Sequence, residues 1–158
     1  ATVTLGVSNR SLNKWVLGFD VIWSEWSTYD KLAFTFDSSP ATGVPGVSSA
    51  RKDWTDVLSY RFGAEYALNE AWRLRAGYVY DESPVAEETR APEMPGSDRH
   101  MFMVGCAYDQ ESWGVDLGYS YLIAKKADVG DDTIGLLPAD GEYSTAAHLV
   151  SASFRYKF

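Results

Sequence analysis

The sequence has one cysteine, two histidines and no apolar run of helix-spanning length. Cys106 stands alone, which excludes an intrachain disulfide and a cysteine metal cluster. A membrane helix needs about 18 or more consecutive apolar residues, and no stretch approaches that. This absence excludes a spanning helix and nothing more. A spanning strand needs only about 9–11 residues, half of which face away from lipid. Basic residues are outnumbered, with 14 Lys and Arg against 22 Asp and Glu and a net charge of −8. No basic stripe exists, so nucleic acid is not an expected partner. No serine sits in a Gly-x-Ser-x-Gly elbow and no nucleophile–base pair stands out, so no enzyme and no cofactor are expected. His100 and His148 read as structural or interfacial. The loop acids Asp128, Asp131, Asp132, Asp140 and Glu142 lack the spacing of a calcium loop and read as a solvated acidic loop. No metal site is assigned. No amino-terminal signal peptide is visible, as expected of a mature or trimmed chain.

What is abundant is aromatic: 15% of the 158 residues are Phe, Trp or Tyr. They fall in alternating patterns. From the carboxy terminus, Phe158, Tyr156, Phe154, Ala152 and Val150 lie on one side of a strand, with Lys157, Arg155, Ser153 and Ser151 opposite. A period of two over this length is a β-strand with unlike faces. The same pattern runs through Val3, Leu5 and Val7, then through Trp15, Leu17, Phe19, Val21 and Trp23. It returns at Leu58–Leu68, Trp72–Tyr80, Phe102–Tyr108 and Trp113–Tyr121. The phase slips at Trp26 to Asp30 and resumes at Leu32, Phe34 and Phe36. Residues 15–37 therefore read as one long strand with a kink, or as two strands joined by a short turn.

The connections alternate. Ser11–Lys14, Asn69–Ala71 and Asp109–Ser112 are short turns. Asp37–Asp53, Glu82–Asp98 and Lys125–Glu142 are long loops rich in turn residues or charge. Outer-membrane barrels alternate in this way, with short turns on the periplasmic side. Trp15, Trp54, Trp72, Trp113, Tyr66, Tyr80, Tyr108, Tyr121 and Phe158 fall at strand ends, where interfacial girdles are expected. The minor face carries Arg61, Glu65, Arg73, Arg75, Asp81, Asp116, Arg155 and Lys157. A dry core does not accept such groups unpaired, whereas a wet lumen does. The lumen charges Arg61, Glu65, Arg73, Arg75 and Asp116 are expected to form a structural ladder. Gly18, Gly63, Gly77, Gly105, Gly114 and Gly118 fit wall curvature, barrel closure or a plug lying against the wall. The fold class is all-β: an antiparallel transmembrane barrel wall of seven strands, or eight if residues 15–37 divide.

Arg75-Ala-Gly-Tyr-Val-Tyr-Asp-Glu-Ser-Pro-Val85, followed by Pro92, Pro95 and Asp98-Arg99, resembles the carboxy-terminal half of the FadL family. Gly6-Val-Ser-Asn-Arg10 with Trp15, Trp23-Ser-Glu-Trp26-Ser27 and Tyr60–Tyr66 are similar to the same half. These are outer-membrane transporters of long-chain fatty acids and other hydrophobic compounds. The resemblance implies a fourteen-stranded barrel with an amino-terminal hatch in its lumen. It also implies a kinked strand that opens a lateral path into the bilayer. Here neither the hatch nor the family's early Asn-Pro-Ala motif appears. The chain is therefore expected to be the carboxy-terminal portion of such a barrel, without a hatch domain. The other reading is an eight-stranded barrel closed on itself, with an interior filled by side chains.

The resemblance further implies passive uptake of hydrophobic small molecules, such as long-chain fatty acids or aromatic hydrocarbons, across the outer membrane. Membrane lipid, lipopolysaccharide and the barrel-assembly machinery are the implied partners, the last reading Phe154, Tyr156 and Phe158. Arg51 and Lys52 are candidates to meet a fatty-acid carboxylate at the outer mouth. Trp26, Ser27 and Asp30 mark the expected lateral opening. A structural or adhesive barrel without transport is the alternative. A soluble lipocalin-like carrier is a third class, against which the charged minor face speaks.

Overall fold

A computed structural model describes residues 1–37, 46–91, 94–129 and 141–158. Seven strands form one antiparallel sheet: β1 (Thr2–Asn9), β2 (Trp15–Ser24), β5 (Val57–Ala67), β6 (Trp72–Asp81), β7 (Arg99–Asp109), β8 (Trp113–Ala124) and β11 (Ala146–Tyr156), in that spatial order. Six of the seven have 10 to 12 residues, the length that crosses a bilayer at a tilt. Two small hairpins lie outside this sheet among the described residues: β3 (Lys31–Phe36) with β4 (Gly46–Arg51), and β9 (Ala127–Val129) with β10 (Gly141–Tyr143).

The register lines up like with like. Val7, Phe19, Phe62, Tyr78, Phe102, Tyr121 and His148 form one continuous row from β1 to β11. A second row on the opposite face runs Ser8, Gly18, Gly63, Gly77, Met103, Ser120 and Leu149. The apolar face has no partner layer. Phe62, Leu74, Leu117 and Phe154 are 48, 44, 52 and 67% exposed. In water, such a surface would exceed by far the largest apolar patches of monomeric proteins. Against acyl chains it is the required surface.

Aromatic rings band this face at both ends. At the short-turn end Trp15 meets Tyr66 at 4.7 Å and Trp72 meets Tyr108 at 4.8 Å between ring centroids, followed by Trp113 and Phe154. At the long-loop end the Tyr78 hydroxyl lies 2.8 Å from His100 Nδ1, and the Tyr119 hydroxyl 2.7 Å from His148 Nδ1. Both histidines belong to this band. Trp54 does not join a girdle, contrary to expectation. It is 9% exposed and lies between Trp26 and Tyr29, at centroid distances of 5.2 and 4.9 Å. A ring that finds two other rings in a folded loop loses more water there than at a strand end.

Residues 15–37 are not one kinked strand. β2 ends at Ser24, and β3 leaves the sheet to pair with β4. The departure has a local cause. Trp26 N–H donates to Ser24 O and Tyr29 N–H to Trp26 O, which turns the backbone. The Asp56 carboxylate accepts the Ser27 amide at 3.0 Å. Asp30 O then accepts the amides of Lys52 and Asp53, tying the exit to the return. A period of two says that 32–36 is extended but not which sheet takes it. Among the described residues the sheet itself has seven strands and is open, with β1 and β11 at its two edges. The self-closed eight-stranded barrel is overturned, because the eighth candidate pairs elsewhere.

Among the described residues, the buried side chains larger than alanine lie in or beside the long loops rather than in the seven-stranded sheet: Lys52, Trp54, Arg90 and Val129, with Ala91 and Ala127 beside them. Arg90 holds this cluster by donating to Gly96 O and Asp128 O, each at 3.2 Å.

Candidate functional site

The polar face carries a connected set of charges near the short-turn end. Arg75 donates to Glu65 at 2.7 Å and to Asp116 at 2.8 Å. Arg155 reaches Asp109 at 2.7 Å and Asp116 at 3.0 Å, and Arg73 pairs with the other oxygen of Asp109. The set therefore spans β5, β6, β7, β8 and β11. Two of its links jump a strand. Arg155 on β11 bridges to Asp109 on β7 over Gly114 of β8, which stands opposite both. Side chains two strands apart converge like this on a concave face. Gly114 is required there: a Cβ would sit 2.6 Å from Asp109 Oδ1 and 3.2 Å from Arg155 Nη2. Arg75 likewise crosses β7 to reach Asp116, and Ala107 beneath the crossing is fully buried.

Of the six charges expected in the lumen, Glu65, Arg73, Arg75, Asp116 and Arg155 are brought together. Asp109 joins them, although the sequence reading assigned it to a turn. Its parity, opposite to Tyr108, was the available signal. Arg61 is not in this set. It stands higher on the wall and donates to Ser59 Oγ at 3.4 Å.

Around and above Arg61 the polar face is hollow. A cavity of about 600 Å³ is walled by Ile22, Trp26, Trp54, Leu58, Val85 and Pro95, with Arg61, Asp81 and Arg99 among its polar lining. That volume lies within the range of small-molecule sites. A second hollow of about 460 Å³ lies along Gly18, Gly63, Met101 and Met103 and shares Arg61. A Cβ at Gly18 or Gly63 would meet nothing within 4 Å, so these two glycines face open space.

The roof of the upper cavity is the 82–98 loop, folded back over the polar face. Thr55 N–H donates to Pro84 O at 3.0 Å, and Leu58 N–H to the Glu82 carboxylate at 2.8 Å. The two ends of the loop are fastened by the residues singled out in the sequence. Asp81 and Arg99 are register partners 3.7 Å apart at their charged ends. Asp98 accepts the Ser83 amide at 3.0 Å, the Tyr80 hydroxyl at 2.9 Å and the Lys125 ammonium at 2.7 Å. The Asp-x-Ser-Pro and Asp-Arg motifs are thus one clasp. Pro92 lies outside the described residues.

Burial alone would raise the Asp98 carboxyl, but the bonds from Lys125, Ser83 and Tyr80 outweigh it and hold it below the usual carboxylate range. A depressed folded-state value means the clasp is at full strength above the unfolded value of about 4. It is lost as pH falls through the lower folded value. Cleavage of the 82–98 loop by an acid-active protease is therefore expected to rise steeply below about pH 4. Asp98→Asn should show fast cleavage at every pH. Equal acid sensitivity in the variant would refute the assignment.

The other expected site residues are placed as follows. Arg51 is exposed and pairs with Asp53. Lys52 is 2% exposed within the loop cluster, and the Thr89 hydroxyl donates to its carbonyl. Neither lines the upper cavity. Trp26 does line it, while Ser27 and Asp30 form the turn at which the chain leaves the sheet. Of the loop acids, Glu142 pairs with Lys126 at 2.6 Å, and Asp131, Asp132 and Asp140 lie outside the described residues.

An antiparallel sheet with an exposed, ring-banded apolar face and a charged concave face is the wall of a transmembrane β-barrel. The whole chain, residues 1–158, matches the family described as "Outer membrane protein transport protein (OMPP1/FadL/TodX)", and it belongs to that family. Family membership places it in the bacterial outer membrane. Among curated relatives, the long-chain fatty acid transport protein of Escherichia coli O6:H1 is 27% identical over 153 residues, covering 95% of this chain and 32% of its own. Alkane uptake protein A of Marinobacter nauticus is 31% identical over 172 residues, covering 99% of this chain and 36% of its own. The crystal structure of a Pseudomonas aeruginosa FadL homologue superposes with a TM-score of 0.79 at 24% identity, covering 98% of this chain and 35% of that one. The chain thus spans about a third of the length of these relatives.

Proposed function

We propose that this chain is the carboxy-terminal wall, without the hatch, of a larger outer-membrane barrel that takes up hydrophobic small molecules passively. The observation that carries this reading is the cavity of about 600 Å³ on the concave face, apolar in most of its wall and roofed by the 82–98 loop. A barrel whose interior was filled by side chains would leave no such space. The open edges at β1 and β11 support the larger barrel, since unpaired backbone groups cannot face lipid. The names of the relatives, one for long-chain fatty acids and one for alkanes, fit a ligand of this class.

Ligand enters from the outer mouth, rests in the cavity and leaves sideways. The cavity extends to Ser24, Trp26 and Val57, where β2 and β5 stop pairing and the chain turns out of the sheet. The turn at Trp26–Asp30 is the exit. Lipid and lipopolysaccharide cover the ring-banded face, and the barrel-assembly machinery reads Phe154, Tyr156 and Phe158. Arg51, which is exposed, is left with a role in the first encounter at the outer mouth, whereas Lys52 is buried in the loop cluster and is not.

The test is uptake by cells that carry the gene, against cells that lack it, with radiolabelled hexadecane and a radiolabelled long-chain fatty acid. Uptake of at least one, saturable and insensitive to removal of the proton gradient at the inner membrane, is expected. Equal uptake by the two cell lines would leave the structural or adhesive reading in its place.

A further inference from the structure

The outward face carries the same small arrangement twice. His100 of β7 lies against Tyr78 and Tyr80 of β6, at ring-centroid distances of 6.1 and 5.0 Å, with the Tyr78 hydroxyl 2.8 Å from its Nδ1. His148 of β11 lies against Tyr119 and Tyr121 of β8, at 6.0 and 4.8 Å, with the Tyr119 hydroxyl 2.7 Å from its Nδ1. The two sit at one depth. His100 is in register with Ile123 and Ala146, and His148 stands two residues nearer the short-turn end. Trp72 and Trp113, which mark the short-turn girdle two strands apart, are staggered by the same two residues in the same direction. Strand spacing and rise place the two histidines about 12 Å apart along the membrane surface. Toward the short turns the same face is apolar, with Phe102, Val104 and Val150 each more than half exposed. One row beyond His100, Tyr80 and Lys125 both donate to Asp98, and the Lys125 ammonium is exposed with donors to spare. The acids near this end are already met: Asp98 by these two and the Ser83 amide, Glu82 by the Leu58 amide and Glu142 by Lys126.

Each arrangement leaves one donor over. When the hydroxyl donates to Nδ1, the ring keeps an N–H at Nε2; when Nδ1 donates, the hydroxyl keeps its hydrogen. Neither Nε2 has a partner among the described residues. A donor at the edge of hydrocarbon needs an acceptor that lipid supplies, and phosphate oxygens are the strongest at that depth. From this repeat we infer that the two tyrosine–histidine pairs form one site for an outer-leaflet glycolipid that carries a phosphate at each end of a disaccharide. Two linked sugar rings with terminal phosphates span a length comparable to the separation of the pairs. One phosphate meets the Tyr78–His100 pair, with the Lys125 ammonium beside it, and the other meets the Tyr119–His148 pair. The acyl chains lie over Phe102, Val104 and Val150. The inference rests on the reading that lipopolysaccharide covers the ring-banded face, and it makes no use of the uptake path.

The experiment measures, by native mass spectrometry, the binding of lipid A with both phosphates, with one and with none to the purified gene-encoded protein in a maltoside detergent. Native protein is expected to bind the doubly phosphorylated form about tenfold or more tighter than the singly phosphorylated one, the size of a charge-assisted bond. His100→Phe and His148→Phe each keep a ring in the band and should each abolish that preference. The double variant should bind all three forms alike. A native-like preference kept in both single variants overturns the assignment, and these two carry the test should the double variant fail to assemble. Native protein that binds all three forms equally refutes the role of the pairs and leaves the lipid cover standing. Native protein that binds none of them refutes both.

Discussion

Phe62→Arg is expected to destabilise the protein in lipid vesicles by about 2–4 kcal/mol, whereas Gly63→Arg, one residue along the same strand, should change stability by less than about 1 kcal/mol. The two positions are neighbours on β5 and present opposite faces. Phe62 belongs to the row from Val7 to His148, is 48% exposed and has no protein layer above it. A guanidinium there enters hydrocarbon. Gly63 belongs to the opposite row, and a side chain built on it meets nothing within 4 Å. A guanidinium there enters a wet lumen that already holds Arg61, and β5 gains a residue with more strand preference than glycine. Chemical denaturation in vesicles, or the gel-mobility shift of folded against heated barrel, reads the difference. In a soluble sheet with a hydrated apolar face, Phe62→Arg would be neutral. Equal effects at the two positions would therefore overturn the orientation of the whole wall.

Asp116→Ala should cost about 1–3 kcal/mol, well above the 0–1 kcal/mol of an ordinary surface pair. Asp116 accepts from Arg75 on β6 and from Arg155 on β11, and its side chain is 24% exposed. Removing it leaves two partly desolvated guanidinium groups short of an acceptor, on strands with no direct backbone pairing to each other. Asp116→Asn should recover part of the loss, because an amide oxygen still accepts one bond. A double-mutant cycle with Arg75→Met is expected to show a coupling of about 0.5 kcal/mol or more. A coupling near zero would mean that the charges merely share a face. Destabilisation should shrink as salt rises, since a wet lumen admits counter-ions.

Much of the wall could be read from residue order. Alternation placed Phe19, Phe62, Leu117 and Phe154 on one face and Glu65, Arg75 and Arg155 on the other. Short and long connections in turn gave the up-and-down order of seven strands. The pairings of charges could not be read. Arg155 and Asp109 are 46 positions apart and separated by a strand, so their contact depends on register and curvature together. Leu32, Phe34 and Phe36 misled because a period of two is the same in any sheet. Trp54 misled because a ring near a strand end can enter a girdle or a loop core, and only its neighbours decide. Arg61 looked like its companions in the ladder, since nothing local records which acid an arginine reaches.

By itself the sequence determined which atoms face lipid and which face water, because alternation is a property of the extended backbone and needs no partner strand. It also singled out Asp81, Ser83, Pro84, Asp98 and Arg99, though not the contacts among them, which came with the fold. The tertiary structure decided the rest: that β3 leaves the wall, that five charges and Asp109 meet while Arg61 stays outside their set, and that a cavity remains beneath the loop. These depend on distances between strands remote along the chain, and such distances exist only once register and curvature are set.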